Sequence, residues 1–170
     1  LTGSRMSRVP LAVHKLGEVK KLQAKVIRTN WDELRKLDVP CLLSVKFGSI
    51  RHCSCLLGID DNYVTVGEPL RGLIKFEIEK YTQDWKWSGQ AVIVAPDFLH
   101  TFNFDDTTIR ANELFDSLKA LGYSKRDKET VKKFQSDYGI KQTGVLDWRT
   151  ILVIDSLTKG TDRPHLSNHH

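Results

Sequence analysis

Residues 50–76, IRHCSCLLGIDDNYVTVGEPLRGLIKF, constrain the fold more than any other part of the chain. Three short apolar runs are separated there by Asp60-Asp61-Asn62 and by Gly67-Glu68-Pro69. Apolar runs this short, punctuated by turn formers, predict a hairpin: residues 53–59 as one strand, a polar turn, residues 63–66 as the next. His52 stands at the mouth of the first strand and Glu68 lies just past the end of the second. In an antiparallel pair those side chains share one edge of the sheet. A histidine oriented by a carboxylate is two thirds of a nucleophilic triad, which makes His52 and Glu68 the candidate catalytic residues and the nucleophile the open question.

The chain carries three cysteines, Cys41, Cys53 and Cys55, all within predicted strands. Buried apolar cysteines are the ordinary reading. His52-Cys53-x-Cys55 invites a zinc site, but strand alternation points both cysteines to the face opposite His52, and no second Cys/His pair stands at ligand spacing. No metal and no other cofactor are expected.

The net charge of +5 is unevenly placed: residues 1–96 hold fifteen Lys and Arg against ten Asp and Glu, and the remainder holds eleven of each. No helix-turn-helix, finger or aromatic-basic platform accompanies the excess, so a nucleic-acid partner is not expected, whereas attraction to an acidic polymer such as the cell wall fits. No apolar run approaches the roughly 18 residues that span a bilayer. The opening LTGSRMSRVP lacks the apolar core of a signal peptide, and its first residue, Leu1, reads as the start of a piece of a longer protein.

Taken in order, residues 7–16 read as a helix, 22–27 as a strand, and 31–37 as a short amphipathic helix capped by Asn30. Residues 41–47 form an apolar strand and the hairpin follows. A helix is expected from 76 to 85, and after Gly89 the continuous run 91–95, AVIVA, reads as a buried strand. The fold class is α+β, with a mostly antiparallel sheet in a domain covering 1–96. Trp31, Trp85 and Trp87 are candidates for a partner surface, with core packing expected for at least two.

The helix with Leu34, the strand after Pro40, the strand opening with His52, the turn Gly67-x-Pro69-x-x-Gly72 and the strand entered through Trp87-x-Gly89 together resemble the papain-like fold of bacteriocin-processing cysteine peptidases. They resemble equally the degenerate form of that domain in the periplasmic part of type II secretion ATPase A, the ExeA-like proteins. The resemblance implies a papain-like half-domain in which His52 is the general base and Glu68, in place of the family's Asp, orients it. It also implies a nucleophilic Cys and an oxyanion Gln upstream of Leu1, so that His52 and Glu68 are vestigial or await that segment. As given, the chain is not expected to be a peptidase.

Turn-rich residues 97–108 mark a boundary. Helices are predicted at 109–121, 128–138 and 148–157, the last two capped by Asp127 and Asp147, giving a small three-helix domain. Leu121-Gly122-Tyr123, the run Thr130–Gln135, Tyr138-Gly139-Ile140, Thr143-Gly144-Val145-Leu146 and Trp148-x-Thr150 resemble the peptidoglycan-binding domain at the ends of many cell-wall enzymes, over residues 107–158. The usual acidic-Gly loop is shortened here to Ser124-Lys125-Arg126, and the opening Gly-x-x-G is replaced by Asp105-Asp106-Thr107-Thr108. The resemblance implies a groove of Gln135, Tyr138, Gln142, Thr143 and Trp148 for the stem peptide of peptidoglycan. Residues 159–170 read as a disordered tail.

The leading expectation is a non-catalytic wall-binding fragment of a larger periplasmic or other extracytoplasmic protein, partnered by peptidoglycan and by a secretion or envelope protein. Two alternatives stay open: part of an active wall-tethered cysteine peptidase, and a partner-binding module without wall affinity.

Overall fold

The computed structural model describes residues 22–69, 71–96, 98–158 and 165–166. The helix expected over 7–16 lies outside them. The chain divides into two compact units, one of residues 1–97 with 164–170, the other of residues 98–163.

In the first unit the strands are β1 (Leu22–Arg28), β2 (Cys41–Phe47), β3 (Ile50–Ile59), β4 (Tyr63–Glu68), β5 (Gly72–Glu77) and β6 (Gln90–Pro96), with helices α1 (Trp31–Leu37) and α2 (Ile78–Asp84) between them. They form one six-stranded sheet in the order β1-β6-β2-β3-β4-β5, with every described pair antiparallel. This is the α+β architecture expected from the sequence. β6 lies between β1 and β2, and Ala91, Val92 and Ile93 are all fully buried, which is why its run is continuously apolar rather than alternating. β4 alternates instead: Val64, Val66 and Glu68 are buried on one face while the residues between them are more open. Asn30 caps α1 by accepting the Glu33 amide at 2.8 Å, and Asp38, in the left-handed region at φ 48°, ends it. The β3–β4 turn is held by Asp60, whose Oδ1 accepts the amides of Asn62 and Tyr63 at 2.9 and 2.6 Å.

The sequence reading has no strand between residue 66 and the helix expected from 76. The structure places β5 there, paired with β4 from Glu68↔Gly72 to Tyr63↔Glu77, and α2 begins only at Ile78. Gly72 makes the tight return with φ 74°. β5 is an edge strand with Leu73 71% exposed, so the signature of a half-buried strand is weak in it. Trp85 is buried, and the half-buried Trp31 and Trp87 pack on each other, their rings tilted by 40° with centroids 4.1 Å apart. The Trp31 indole also donates to Thr82 at 3.1 Å, tying α1 to α2.

The second unit carries α3 (Ile109–Ala120), α4 (Lys128–Asp137) and α5 (Trp148–Thr158). Each end lies within a residue of the position expected from periodicity. Leu114, Leu118, Val131, Phe134, Leu146, Ile151, Leu152 and Ile154 form its core. The unit takes in residues 98–106 as well, ahead of the expected boundary at 107: Phe102 pairs with Leu146 through two backbone hydrogen bonds of 3.1 and 2.9 Å. Arg126 from the shortened loop fixes this segment, donating to the Phe104 carbonyl and to Asn112 Oδ1 at 2.7 Å each and to the Asp106 carbonyl, with its guanidinium 4.3 Å from the Phe115 ring centroid. Arg110 and Asp155 form a two-pronged ion pair at 3.0 and 2.8 Å.

Of residues 159–170, expected to be a disordered tail, the structure describes His165 and Leu166. Leu166 is 1% exposed and belongs, with His165, to the first unit.

Candidate functional site: a buried carboxylate beneath His52

Strand alternation places His52, Ser54 and Leu56 of β3 on the same face as Val64, Val66 and Glu68 of β4. β3 begins at Ile50 rather than at 53, so His52 sits inside the strand, opposite Val45 of β2. The imidazole Nε2 lies 2.7 Å from Glu68 Oε2. A carboxylate is acceptor only, so Nε2 donates in this contact, and in the neutral ring Nδ1 is the lone-pair nitrogen. Nδ1 has no hydrogen-bond partner among the described residues. The side chains differ sharply in exposure, 31% for His52 and 4% for Glu68. Ser54, fully buried, donates its hydroxyl to Glu68 Oε1, so each carboxylate oxygen has its own donor. The His52 ring lies 6.2 Å from that of Trp85. Buried Tyr81 lies nearby, stacked on Trp85, and burial pushes its phenol well above the ordinary range.

Chemically this is an oriented base: a half-open imidazole whose inner nitrogen is fixed by a desolvated carboxylate, with its outer nitrogen available. Cys53 and Cys55 lie on the opposite face of β3, lining a hollow of about 430 Å³ with Leu42, Gly67 and Leu73. Cys41 shares the face of His52 but is four residues along β2 from Val45, roughly 13 Å at the rise of a strand. Burial pushes the Cys41 and Cys55 thiols up, away from the nucleophilic thiolate. Ser54 escaped the sequence reading. Its signal is a polar residue two positions from His52 on a strand face otherwise apolar.

The residues proposed from sequence as a wall-ligand groove divide differently. Gln135 is fully buried, and its amide nitrogen donates to Thr143 Oγ1, the Val145 carbonyl and Thr150 Oγ1 at 2.9, 2.9 and 2.8 Å. Its carbonyl oxygen accepts the Gly144 amide at 2.9 Å. With both ends of the amide engaged inside the unit, Gln135 is a hub that shapes the 143–150 loop, and the expectation that it faces a ligand is corrected. Thr143 belongs to the same network, half-buried, and its hydroxyl also reaches the Val145 carbonyl at 3.2 Å. Tyr138 is half-buried with its ring 4.7 Å from Phe134, Trp148 is half-buried under the Arg149 guanidinium at 4.1 Å, and Gln142 is exposed. Among the described residues no group of three or more His, Cys, Asp or Glu is arranged to hold a metal, and no helix is long and apolar enough to cross a membrane.

The antiparallel sheet, its short helices and the His–carboxylate pair across β3 and β4 define a papain-like peptidase fold. Residues 9–98 match the model of the Peptidase C39 family, and the chain belongs to that family. The periplasmic domain of the EpsAB fusion protein of the Vibrio vulnificus type II secretion system is similar in structure, with a TM-score of 0.53 and 21% identity. That match covers 79% of this chain, more than the first unit alone, and 64% of the other, so the chain spans less than two thirds of that relative. The peptidase domain of Streptococcus mutans ComA matches with a TM-score of 0.47 and 21% identity over 56% of this chain and 78% of that one. No curated protein matches the chain.

Proposed function

We propose that the chain is a non-catalytic envelope module: a peptidase-fold scaffold joined to a helical peptidoglycan-binding domain over residues 107–158, serving to hold a larger periplasmic protein to the wall. The observation that carries this reading is the reach of the similarity to the EpsAB periplasmic domain, which extends beyond the peptidase-fold unit into the helical one. The three cysteines add support, since one is buried in the core and two face away from His52. With Gln135 and the Thr143 hydroxyl committed inside the unit, the ligand-facing groups are Tyr138, Gln142 and Trp148, aromatic faces with amide and hydroxyl partners suited to a stem peptide.

The test is co-sedimentation of the full chain with purified insoluble peptidoglycan sacculi, beside a variant carrying Tyr138→Ala, Gln142→Ala and Trp148→Ala. The chain is expected in the pellet and the folded triple variant in the supernatant. If the unaltered chain stays in the supernatant, wall anchoring fails.

The 2.7 Å His52–Glu68 contact favours a second reading, in which the pair serves an active cysteine peptidase whose thiol lies outside the described residues. An electrophilic peptide probe then labels the natural full-length protein, and His52→Ala abolishes labelling. Absence of labelling from the unaltered protein rules this reading out.

A further inference from the structure

The pairing of β2 with β3 starts at Cys41↔Leu56, because Pro40 has no amide to extend it. β3 runs on past that point to Ile59, with its bulge between Leu56 and Gly58. Its last residues therefore have an open hydrogen-bonding edge on the β2 side. His165 and Leu166 fill it. The Ile59 amide donates to the Leu166 carbonyl at 3.0 Å, and the Leu166 amide donates to Asp38 Oδ1 at 2.8 Å. The other carboxylate oxygen, Oδ2, lies 2.5 Å from His165 Nδ1. Asp38 is only 6% exposed, and the left-handed backbone that ends α1 places it here. Gly58 lies alongside: a Cβ there would stand 3.6 Å from the Leu166 carbonyl, an ordinary contact, and 3.3 Å from Thr65 Cβ. The Leu166 side chain is buried and forms part of the wall of a cavity of about 480 Å³ that also includes Arg35, Asp60 and Thr65.

A strand edge that pairs with a backbone carbonyl, a buried carboxylate that accepts an amide and an imidazole, and a slot for one leucine are the parts of an extended-peptide receptor. We propose that Asp38 and Ile59 form a peptide-recognition site for a segment in which histidine precedes leucine, and that residues 165–166 are the occupant this chain carries. The site is separate from the His52–Glu68 pair and independent of the wall-binding reading.

The test uses the full chain with Leu166→Asp, which empties the site, and a fluorescent synthetic peptide of residues 161–168, Thr-Asp-Arg-Pro-His-Leu-Ser-Asn. Saturable binding to the variant is expected, weakened about ten-fold or more when alanine replaces the peptide's leucine or when Asp38→Asn is added, and weak in the unaltered chain, whose site is filled. No saturable binding to a variant whose sheet amides stay protected from exchange, or equal binding to the unaltered chain, overturns the proposal. If Leu166→Asp does not fold, Leu166→Ala with added peptide replaces it. The Ile59 amide must then exchange about ten-fold faster than in the unaltered chain and slow again on adding peptide, and failure of that recovery overturns the site equally.

Discussion

His52 and Glu68 stand sixteen residues apart and meet at 2.7 Å, the first partly open to solvent and the second buried beneath it. The carboxylate is stable there because Ser54 and His52 each supply a donor. Taking one donor away leaves a buried acceptor unsatisfied. Ser54→Ala is therefore expected to destabilise the first unit by about 1–3 kcal/mol, read from urea unfolding followed by tryptophan fluorescence. Glu68→Leu removes the acceptor and strands two donors, one buried and one half-open. A larger loss for Glu68→Leu than for Ser54→Ala would contradict the picture of the carboxylate as the costly member.

Gln135 is the corresponding hub of the second unit. Gln135→Ala removes four hydrogen bonds around residues 143–150 and leaves a void where a long side chain was buried. A loss of about 2–4 kcal/mol in thermal unfolding of that unit is expected. The decisive comparison is with Gln142→Ala, an exposed position, expected within about 0.5 kcal/mol of the unaltered chain.

How far these sites were legible follows from what each signal measures. Buried alternation and turn chemistry at 60–62 gave the hairpin, and caps at Asn30 and Asp127 gave helix starts, because those rules are local. The His52–Glu68 contact was legible because antiparallel pairing alone brings the ends of two adjacent strands together. β5 was not: an edge strand with an exposed leucine and a glycine start lacks the alternation that marks a half-buried strand. The resemblance puts Gln135 in the groove, and no local pattern shows otherwise, because it is the 143–150 loop folding back over α4 that buries its amide. His165 and Leu166 carry no local signal for a similar reason: a tail of Ser, Asn and His has no periodic pattern, and their contacts come from residues near 38 and 59.

Acid should weaken the second unit through its caps. The amide of Thr130 donates to the Asp127 carboxylate at 2.7 Å, and that bond holds the carboxyl below its ordinary range. Asp106 is lowered in the same way by the Thr108 amide, and Asp137 by Lys133 and Tyr123. A carboxylate whose folded pKa is depressed contributes stability that is complete above its unfolded value and is lost as pH falls through the folded one. The unit's melting temperature is thus expected to hold from about pH 7 to pH 5 and to fall from about pH 4 downward. Asp127→Asn, which retains a cap acceptor without the charge, should flatten part of that slope; an unchanged slope would show that Asp127 does not carry it.

The three thiols should separate by reactivity. Cys41 is 3% exposed and its thiol is pushed up by burial, so both access and thiolate fraction oppose alkylation. Cys53 and Cys55 line the outer hollow and are partly open, with Cys55 also raised by burial. Iodoacetamide at pH 8 followed by intact-mass measurement is expected to add at most two groups to the folded chain, and the third only in denaturant. Peptide mapping should find Cys53 modified ahead of Cys55. Fast modification of Cys41 in the folded chain would mean that the β2–β3 core opens far more readily than its packing implies, and the same opening would expose Leu56, its partner across the strands.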